Sequence, residues 1–264
     1  MIHRLYTNLI VALSCVATTA AFSVQPLALN NAAVGSSSSF ALGSTPVSKS
    51  SWDITRVSPM TRIEGQTRKT FDFPDQTRDV VQVMLKSEGR PMSAEIQLWI
   101  GPDWTPFKLN IYSEDGRQFP VQILVGTRNK LAQIEVRNTG PYEYPLNAAC
   151  TYAEPPVSNI RKTLPETSQA RYVEGGGAIY SIPFGTDADQ IQCLLNTDSR
   201  QLNCRVELLN GPNNYKQTYE VFTNNGLLNA LYIVFNTTPG TANTVRIKNI
   251  ANVEFPCNAF VSKL

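Results

Sequence analysis

The sequence is almost without histidine. Its one histidine, His3, lies at the very start of a chain of 264 residues. Without histidine in the rest of the chain, Ser-His-Asp and Cys-His catalytic groups cannot form, and neither can zinc sites with histidine ligands. This absence removes the most common hydrolytic and metal-dependent chemistries, and we expect neither a cofactor nor a metal ion.

Long hydrophobic runs are missing as well. The apolar run "LIVALSCVA" (9–17) is too short to span a bilayer, and no later stretch is long enough. We therefore predict no transmembrane segment.

Acidic residues are absent from the first 52 positions. The remainder carries all 21 acids and 21 of the 23 Lys and Arg, so its net charge is 21 − 21 = 0. No basic stripe stands out, and we predict that the protein does not bind nucleic acid.

The acid-free N-terminal region is typical of a targeting leader. Residues 1–21 combine a cation, an apolar run and small residues, which predicts a signal peptide. Residues 22–52 are rich in Ser and Ala and predict a disordered, transit-peptide-like segment. The C-terminal Ser262-Lys263-Leu264 matches a peroxisomal address, which is the minor alternative for localisation.

The rest of the chain contains an internal duplication. "VQVMLKSEGR" (81–90) returns as "IQCLLNTDSR" (191–200), and "AEIQLWIGP" (94–102) returns as "CRVELLNGP" (204–212), both at an offset of 110. Later blocks match at offsets of 110 and 111. The matches predict repeat 1 at 60–152, a connector at 153–170 and repeat 2 at 171–264.

Each repeat is a series of short runs rich in Val, Ile, Tyr, Phe and Thr, separated by turn residues. No helical period is apparent. The pattern predicts an all-β fold of two tandem antiparallel β-sandwich-like repeats, with about seven strands in each. Gly116 and Gly226 are expected to provide positive φ angles in the turns "SEDG" and "TNNG". Gly101-Pro102 returns as Gly211-Pro212, which indicates a turn that the fold requires.

Four cysteines follow the leader: Cys150, Cys193, Cys204 and Cys257. Each corresponds to a plain apolar residue in the other repeat, which predicts buried packing positions. A disulfide between Cys193 and Cys204, across a predicted hairpin, remains open.

Several strands carry large apolar residues on the face that a β-sandwich normally exposes to solvent. A sandwich with a solvated outer face should alternate more cleanly between apolar and polar positions. These residues are therefore either covered by a loop or a partner domain, or they contact other chains. With the tryptophan of "GPDW", the candidate assembly-interface residues are Trp99, Trp104, Tyr112, Leu124, Leu209, Phe222, Tyr232 and Val234.

The joint "TAAFSVQP" between the two leader segments resembles the bipartite plastid-targeting leader of diatoms. Together with two all-β repeats carrying "GPDW", "YSEDG" and "YEYPLNA", the chain resembles the pyrenoid shell proteins of diatoms. That resemblance implies a non-enzymatic protein of the plastid whose copies, alone or with paralogues, assemble into a sheet or tube around the Rubisco-filled pyrenoid. Such a sheath would support carbon dioxide concentration.

Two other functions remain open from the residues alone. One is a secreted or luminal module that binds carbohydrate or lipid through an aromatic platform of Trp99, Trp104 and Tyr112. The other is an enzyme that uses carboxylates only, such as a glycoside hydrolase.

Overall fold

The computed structural model describes residues 49–264, and the predicted leader lies outside them except for its last four residues. Sixteen strands and one short helix make up most of this region. In chain order the strands are β1 (Thr61–Ile63), β2 (Arg68–Phe73), β3 (Val80–Lys86), β4 (Met92–Ile100), β5 (Trp104–Ser113), β6 (Val121–Gly126), β7 (Ala132–Asn138), β8 (Leu146–Tyr152), β9 (Arg171–Val173), β10 (Ile179–Phe184), β11 (Gln190–Asn196), β12 (Leu202–Leu209), β13 (Tyr215–Thr223), β14 (Leu231–Asn236), β15 (Asn243–Asn249) and β16 (Cys257–Lys263).

The strands form two antiparallel sheets of eight strands that pack face to face. Sheet A has the order β1-β8-β3-β6-β14-β11-β16-β9, and sheet B has the order β10-β15-β12-β13-β5-β4-β7-β2. The main core lies between them and contains residues from both, such as Val83 and Ile233 of sheet A with Ile96 and Val206 of sheet B. The prediction of an all-β sandwich fold is confirmed.

The two repeats join edge to edge, so each sheet runs through both of them. In sheet B the junction is β5 with β13, and Asn110 pairs with Glu220, its own counterpart at the offset of 110. In sheet A the junction is β6 with β14, and Ile123 pairs with its counterpart Ile233. A residue that pairs with its own counterpart marks a local twofold axis, which here passes through the middle of both sheets.

Two features of the chain differ from expectation. Each repeat has eight strands rather than seven, because the three-residue strands β1 and β9 are too short to give an alternating pattern. The connector contains a helix, α1 (Ile160–Thr167), in which Ile160 and Leu164 are the buried residues. Eight residues with a proline inside are too few to show a clear helical period.

The glycines of the two "SEDG"-type turns act differently from the prediction. Positive φ occurs at Gly101 and Gly211, the Gly-Pro turns, but not at Gly116 or Gly226. Gly116 is required instead by close approach, because a Cβ there would lie 2.7 Å from the backbone nitrogen of Ser87. The prediction that Gly116 and Gly226 have positive φ was therefore wrong. Glycine is needed at these positions because neighbouring atoms leave no room for a Cβ.

Candidate functional site

The eight candidate interface residues divide into two groups in the structure. Leu124, Leu209, Tyr232 and Val234 are buried within the chain. Trp104, Tyr112 and Phe222 are exposed, and Trp99 is half-buried. The four buried residues are therefore not available to another chain, which corrects half of the predicted surface.

The outer face of sheet A, here called the covered face, explains three of the buried residues. Leu124, Tyr232 and Val234 belong to a second apolar cluster, which also contains Trp52 from the N-terminal side and four residues of the connector, Ala153, Val157, Ile160 and Leu164. Trp52 stacks on Tyr232 with ring centroids 5.3 Å apart. Two short 3₁₀ helices, Lys49–Trp52 and Ile54–Arg56, lie at this side of the sandwich. Segments of the same chain thus cover this apolar face. Cover from within the chain was one of the two alternatives that the sequence left open.

Several polar side chains on the covered face are hydrogen-bonded, although the indole nitrogen of Trp52 is buried without an acceptor among the described residues. The Tyr232 hydroxyl donates to the Gln192 side-chain oxygen at 2.8 Å, and Gln82 donates to the main-chain carbonyls of Ser51 and Trp52 at 3.2 and 3.3 Å. Burial raises the pKa of Tyr232 well above its usual range, so the phenol stays neutral. Trp52, which the sequence assigned to the end of the transit-like segment, is therefore part of the folded protein.

The outer face of sheet B, here called the open face, has no such cover within residues 49–264. Tyr112 and Phe222, which are counterparts in the two repeats, are 39% and 46% exposed. They flank the Asn110–Glu220 pair through which the local twofold axis passes. Beside Tyr112 lies a groove of about 370 Å³, which Arg205, Tyr215 and Glu220 also line but Phe222 does not. The centre of the open face therefore carries two exposed aromatic side chains, with a groove beside one of them.

Ion pairs surround this aromatic centre. In repeat 2, Glu207 lies between Arg205 at 2.8 Å and Arg246, and Glu207 is 5% exposed. In repeat 1, Glu135 pairs with Arg68 at 3.2 Å and Arg137 at 3.4 Å. The open face therefore carries two exposed aromatic side chains near its centre, with charged side chains both among them and toward the edges of the sheet. Aromatic and Arg side chains are enriched in protein interfaces.

The three aromatic residues of the proposed carbohydrate platform line three different cavities. Trp99 lies at a cavity of about 350 Å³ beside Gly101 and Pro102. Trp104 lies at a cavity of about 480 Å³, and Tyr112 lies at the groove of the open face. The structure does not bring them together as one platform.

The Trp104 cavity contains charged residues that the sequence analysis did not single out. The Arg128 guanidinium lies over the Trp104 ring at 4.9 Å, and the Lys130 ammonium lies 5.9 Å from it. Arg161 of α1 reaches the same cavity. The signal that could have found them is repeat asymmetry, since the corresponding turn of repeat 2, "TTPGTA" (237–242), has no cation.

The four cysteines of the described region are free and buried, which confirms them as packing residues. The Cys204 sulfur lies 3.5 Å from that of Cys257. Burial raises the pKa of Cys150 and Cys193 far above the usual range, so these thiols are unreactive in the folded protein. The open question of a Cys193–Cys204 disulfide is thus answered by free thiols in this structure.

Two further tests for function concern residues 49–264. In that region no three residues among His, Cys, Asp and Glu are grouped so as to hold a metal ion. Nor does it contain a helix with the length and apolar character needed to cross a bilayer. The C-terminal tripeptide is part of the fold: Ser262 accepts a hydrogen bond from Gln192 at 2.9 Å, Lys263 pairs with Asp187, and Leu264 packs against the cluster beneath the covered face.

Comparison with known proteins gives one family and several distant folds. The family model for the diatom pyrenoid shell protein matches residues 52–263. A search of curated proteins finds no match. Among solved structures, the PBSX exported protein XepA is 11% identical, with a TM-score of 0.28 and coverage of 77% of this chain and 88% of that one.

Two other solved structures are similar at the same level. That of the Sulfolobus turreted icosahedral virus is 12% identical, with a TM-score of 0.25 and coverage of 73% and 90% of the two chains. The vicilin of Capsicum annuum is 8% identical, with a TM-score of 0.20 and coverage of 74% and 76%. With TM-scores this low, these structures support no conclusion about the fold or the function of this chain.

Proposed function

Because this chain belongs to the diatom pyrenoid shell protein family, we propose that it is a structural component that assembles with copies of itself. The assembly would be a sheet or tube that encloses the Rubisco-containing pyrenoid in the plastid and supports carbon dioxide concentration. Paralogues of the same family are candidates for co-assembly. The observation that carries the proposal is the family match, which extends over nearly all of the described region.

The open face supports a role in contact between copies. Tyr112 and Phe222 are large, exposed and symmetric about the local twofold axis, with ion pairs around them. Aromatic residues at the centre of a polar rim are the usual anchors of protein interfaces. A face with local twofold symmetry can also meet a second copy of itself in two nearly equivalent orientations.

The edges of sheet B are less suited to contact between copies. The edge strand β2 carries the exposed Lys69, and the edge strand β10 carries Pro183, which cannot donate a main-chain hydrogen bond. Charged residues and proline on edge strands oppose pairing with further strands. We therefore place the contact on the open face rather than at the edges of sheet B.

A lattice needs a second surface, because a single self-complementary face produces only closed pairs. Tyr142 and Val253 are counterparts in the two repeats, and each is 72% exposed in a loop. The local axis exchanges the two repeats, so these loops provide two separate apolar contacts per chain. We propose that they extend the pairs into a sheet.

The function that this arrangement supports is non-enzymatic, and the plastid is the compartment that fits it. The peroxisomal alternative requires a free C-terminal tripeptide that its receptor can bind. The packing of Leu264 and the ion pair of Lys263 oppose that, and so favour the plastid.

The test is to purify residues 44–264 and image them by negative-stain electron microscopy. We expect sheets or tubes for the wild type and loss of them in the double variant Tyr112→Glu, Phe222→Glu, with the β-sheet circular dichroism unchanged. Val57→Glu is the matched control, because Val57 is also exposed but lies away from the open face. A wild-type protein that stays monomeric at high concentration would refute assembly, whereas assembly that survives the double variant would refute only the open face as its site.

A further inference from the structure

The Trp104 cavity lies at one end of the sandwich, where three segments meet. These are the turn that follows β6, the hairpin loop between β13 and β14, and the connector before and within α1. Its volume of about 480 Å³ is in the range of small-molecule sites. The connector occurs once in the chain, so the local twofold axis cannot generate a second copy of this cavity.

Positive charge dominates the lining. Four cations face the cavity, Arg128, Lys130, Arg161 and Lys162, against a single carboxylate, Asp79. The carboxylate is already engaged, since it lies 3.5 Å from the Arg161 guanidinium. Within residues 49–264, Arg128, Lys130 and Lys162 have no carboxylate within 4.0 Å. The cavity therefore presents a net charge of about three without a partner in the described chain.

Arg128 is held in place by neutral groups. Its Nε donates to the Asn229 side-chain oxygen at 2.6 Å, and one terminal nitrogen donates to the Asn224 side-chain oxygen at 2.7 Å. Its backbone has a φ of 60°, a conformation that few non-glycine residues adopt. A guanidinium fixed by amides keeps its full charge for a ligand, and its orientation is set before binding.

Arg161 is buried more deeply than the other cations. Its side chain is 13% exposed, and one terminal nitrogen donates to the Leu228 main-chain oxygen at 3.2 Å. Its Nε is buried and has no acceptor among the described residues. A buried guanidinium with an unmatched donor is costly, and an anion in the cavity would offset that cost.

Repeat 2 shows that the turn does not need these cations in order to fold. Thr127 and Thr237 are counterparts, and they make the same main-chain hydrogen bonds, to Asp79 at 2.9 Å and to Asp189 at 3.0 Å. The turn residues 238–242 nevertheless include no cation, and Asn214 stands in place of Trp104. The scaffold is shared, so the cations and the indole are additions at one end only.

We propose that this cavity binds a small organic phosphate. The phosphate oxygens would accept hydrogen bonds from the Arg and Lys side chains, because planar guanidinium groups match phosphate geometry and a dianion suits the excess of positive charge. The organic part would lie against the apolar lining, which consists of Trp104, Leu227, Leu228 and Ala230.

The binding test uses isothermal titration calorimetry on the full chain. The probes are phenyl phosphate, inorganic phosphate, sulfate and phenol. We expect phenyl phosphate to bind more tightly than inorganic phosphate, and we expect phenol to show no binding.

Variants separate the two halves of the site. Lys130→Gln, Lys162→Gln and Arg128→Gln should each weaken phenyl phosphate by about tenfold, the scale of one lost charge-assisted hydrogen bond. Trp104→Leu should weaken phenyl phosphate and leave inorganic phosphate unchanged. Lys69→Gln is the control, because Lys69 is exposed on β2 and does not line the cavity.

Three results would overturn the proposal. The first is no binding of phenyl phosphate at millimolar concentration by a protein with intact circular dichroism. The second is equal binding of phenyl phosphate, inorganic phosphate and sulfate with no effect of Trp104→Leu, which would indicate a site for bare anions. The third is an equal loss of binding in Lys69→Gln and in the cavity variants, which would indicate general attraction to positive charge.

Discussion

The covered face and the open face start from the same kind of sequence and end differently. Both have large apolar residues at positions where a solvent-exposed sheet face is normally polar. These are Leu124 and Tyr232 on the covered face, and Tyr112 and Phe222 on the open face. On the covered face such residues are fully buried beneath Trp52 and the connector. On the open face they remain more than a third exposed, among ion pairs.

The difference between the two faces comes from the segments of chain that lie outside the repeats. Each repeat uses its own residues to build strands, and only the segment before β1 and the connector are free to cover a face. Both segments pack on sheet A, so sheet B is left uncovered in the described chain. The duplicated strands therefore form two outer faces with large apolar residues. The segment before β1 and the connector, which are not duplicated, cover one of these faces. The face without a cover is the one that we assign to contact between copies.

The largest expected effect is on the covered face. Trp52→Ala should lower the free energy of unfolding by about 3–5 kcal/mol, because it removes a fully buried indole and leaves a cavity over Tyr232. Tyr112→Ala on the open face should cost less than about 1 kcal/mol in the monomer. Urea unfolding at low protein concentration measures both. Equal losses in the free energy of unfolding for the two variants would show that the covered face is no more important for stability than the open face.

An intermediate effect is expected from the ion pairs of the open face. Glu207→Gln should lower the free energy of unfolding by about 1–3 kcal/mol, since a nearly buried carboxylate loses its charge between Arg205 and Arg246. Glu220→Gln is the matched control, because Glu220 pairs with Arg205 at 3.3 Å but is 43% exposed. Its cost should stay below about 1 kcal/mol. A Glu220 variant as unstable as the Glu207 variant would show that burial does not separate these pairs.

The smallest expected effect concerns the segment that holds Trp52. Asp53 accepts hydrogen bonds from the Thr55 amide at 3.2 Å and the Thr55 hydroxyl at 2.7 Å, as the N-cap of the second 3₁₀ helix. Asp53→Ala should cost about 0.5–1 kcal/mol in thermal or urea unfolding. The bond from Thr55 lowers the pKa of Asp53, so its stabilisation is present above the unfolded value of 3.8 and is lost as the pH falls through the lower folded value.

The control for this effect is Asp75→Ala. Asp75 accepts the same pair of hydrogen bonds from Thr77, at 2.9 and 2.7 Å, but no helix begins there. The Asp53 variant should therefore be the less stable of the two at neutral pH, and the two should converge in acid. Equal stability at neutral pH would show that the cap does not help to hold Trp52 in place.

Glycine positions show how far the sequence alone could predict the turns. The repeated Gly-Pro predicted a required turn, and Gly101 and Gly211 do have positive φ. At the hairpin that follows β3, Gly89 has a φ of 78° and its counterpart Ser199 has a φ of 62°. The backbone shape is therefore kept even where serine bears the strain. Gly116 could not be assigned correctly, because its cause is a contact with Ser87, which lies 29 residues earlier in the chain.

The candidate site shows a similar division. Tyr112 and Phe222 were identified from strand alternation, because period-two patterns report which face a residue occupies. Alternation does not report what lies above that face, so Leu124 and Tyr232 were chosen with equal reason and are buried. Arg128 and Arg161 were missed because they lie 33 positions apart and meet only in the folded chain.

By itself, the sequence determined the duplication, the all-β class and the identity of the apolar residues on each strand. These follow from local patterns, since each strand and turn is encoded by residues close to one another. Only the tertiary structure decided that the repeats share two continuous sheets, that Trp52 and the connector cover sheet A, and that four cations meet beside Trp104. Those outcomes depend on contacts between distant segments, which are selected by the burial of apolar area and by the pairing of charges rather than by any local pattern.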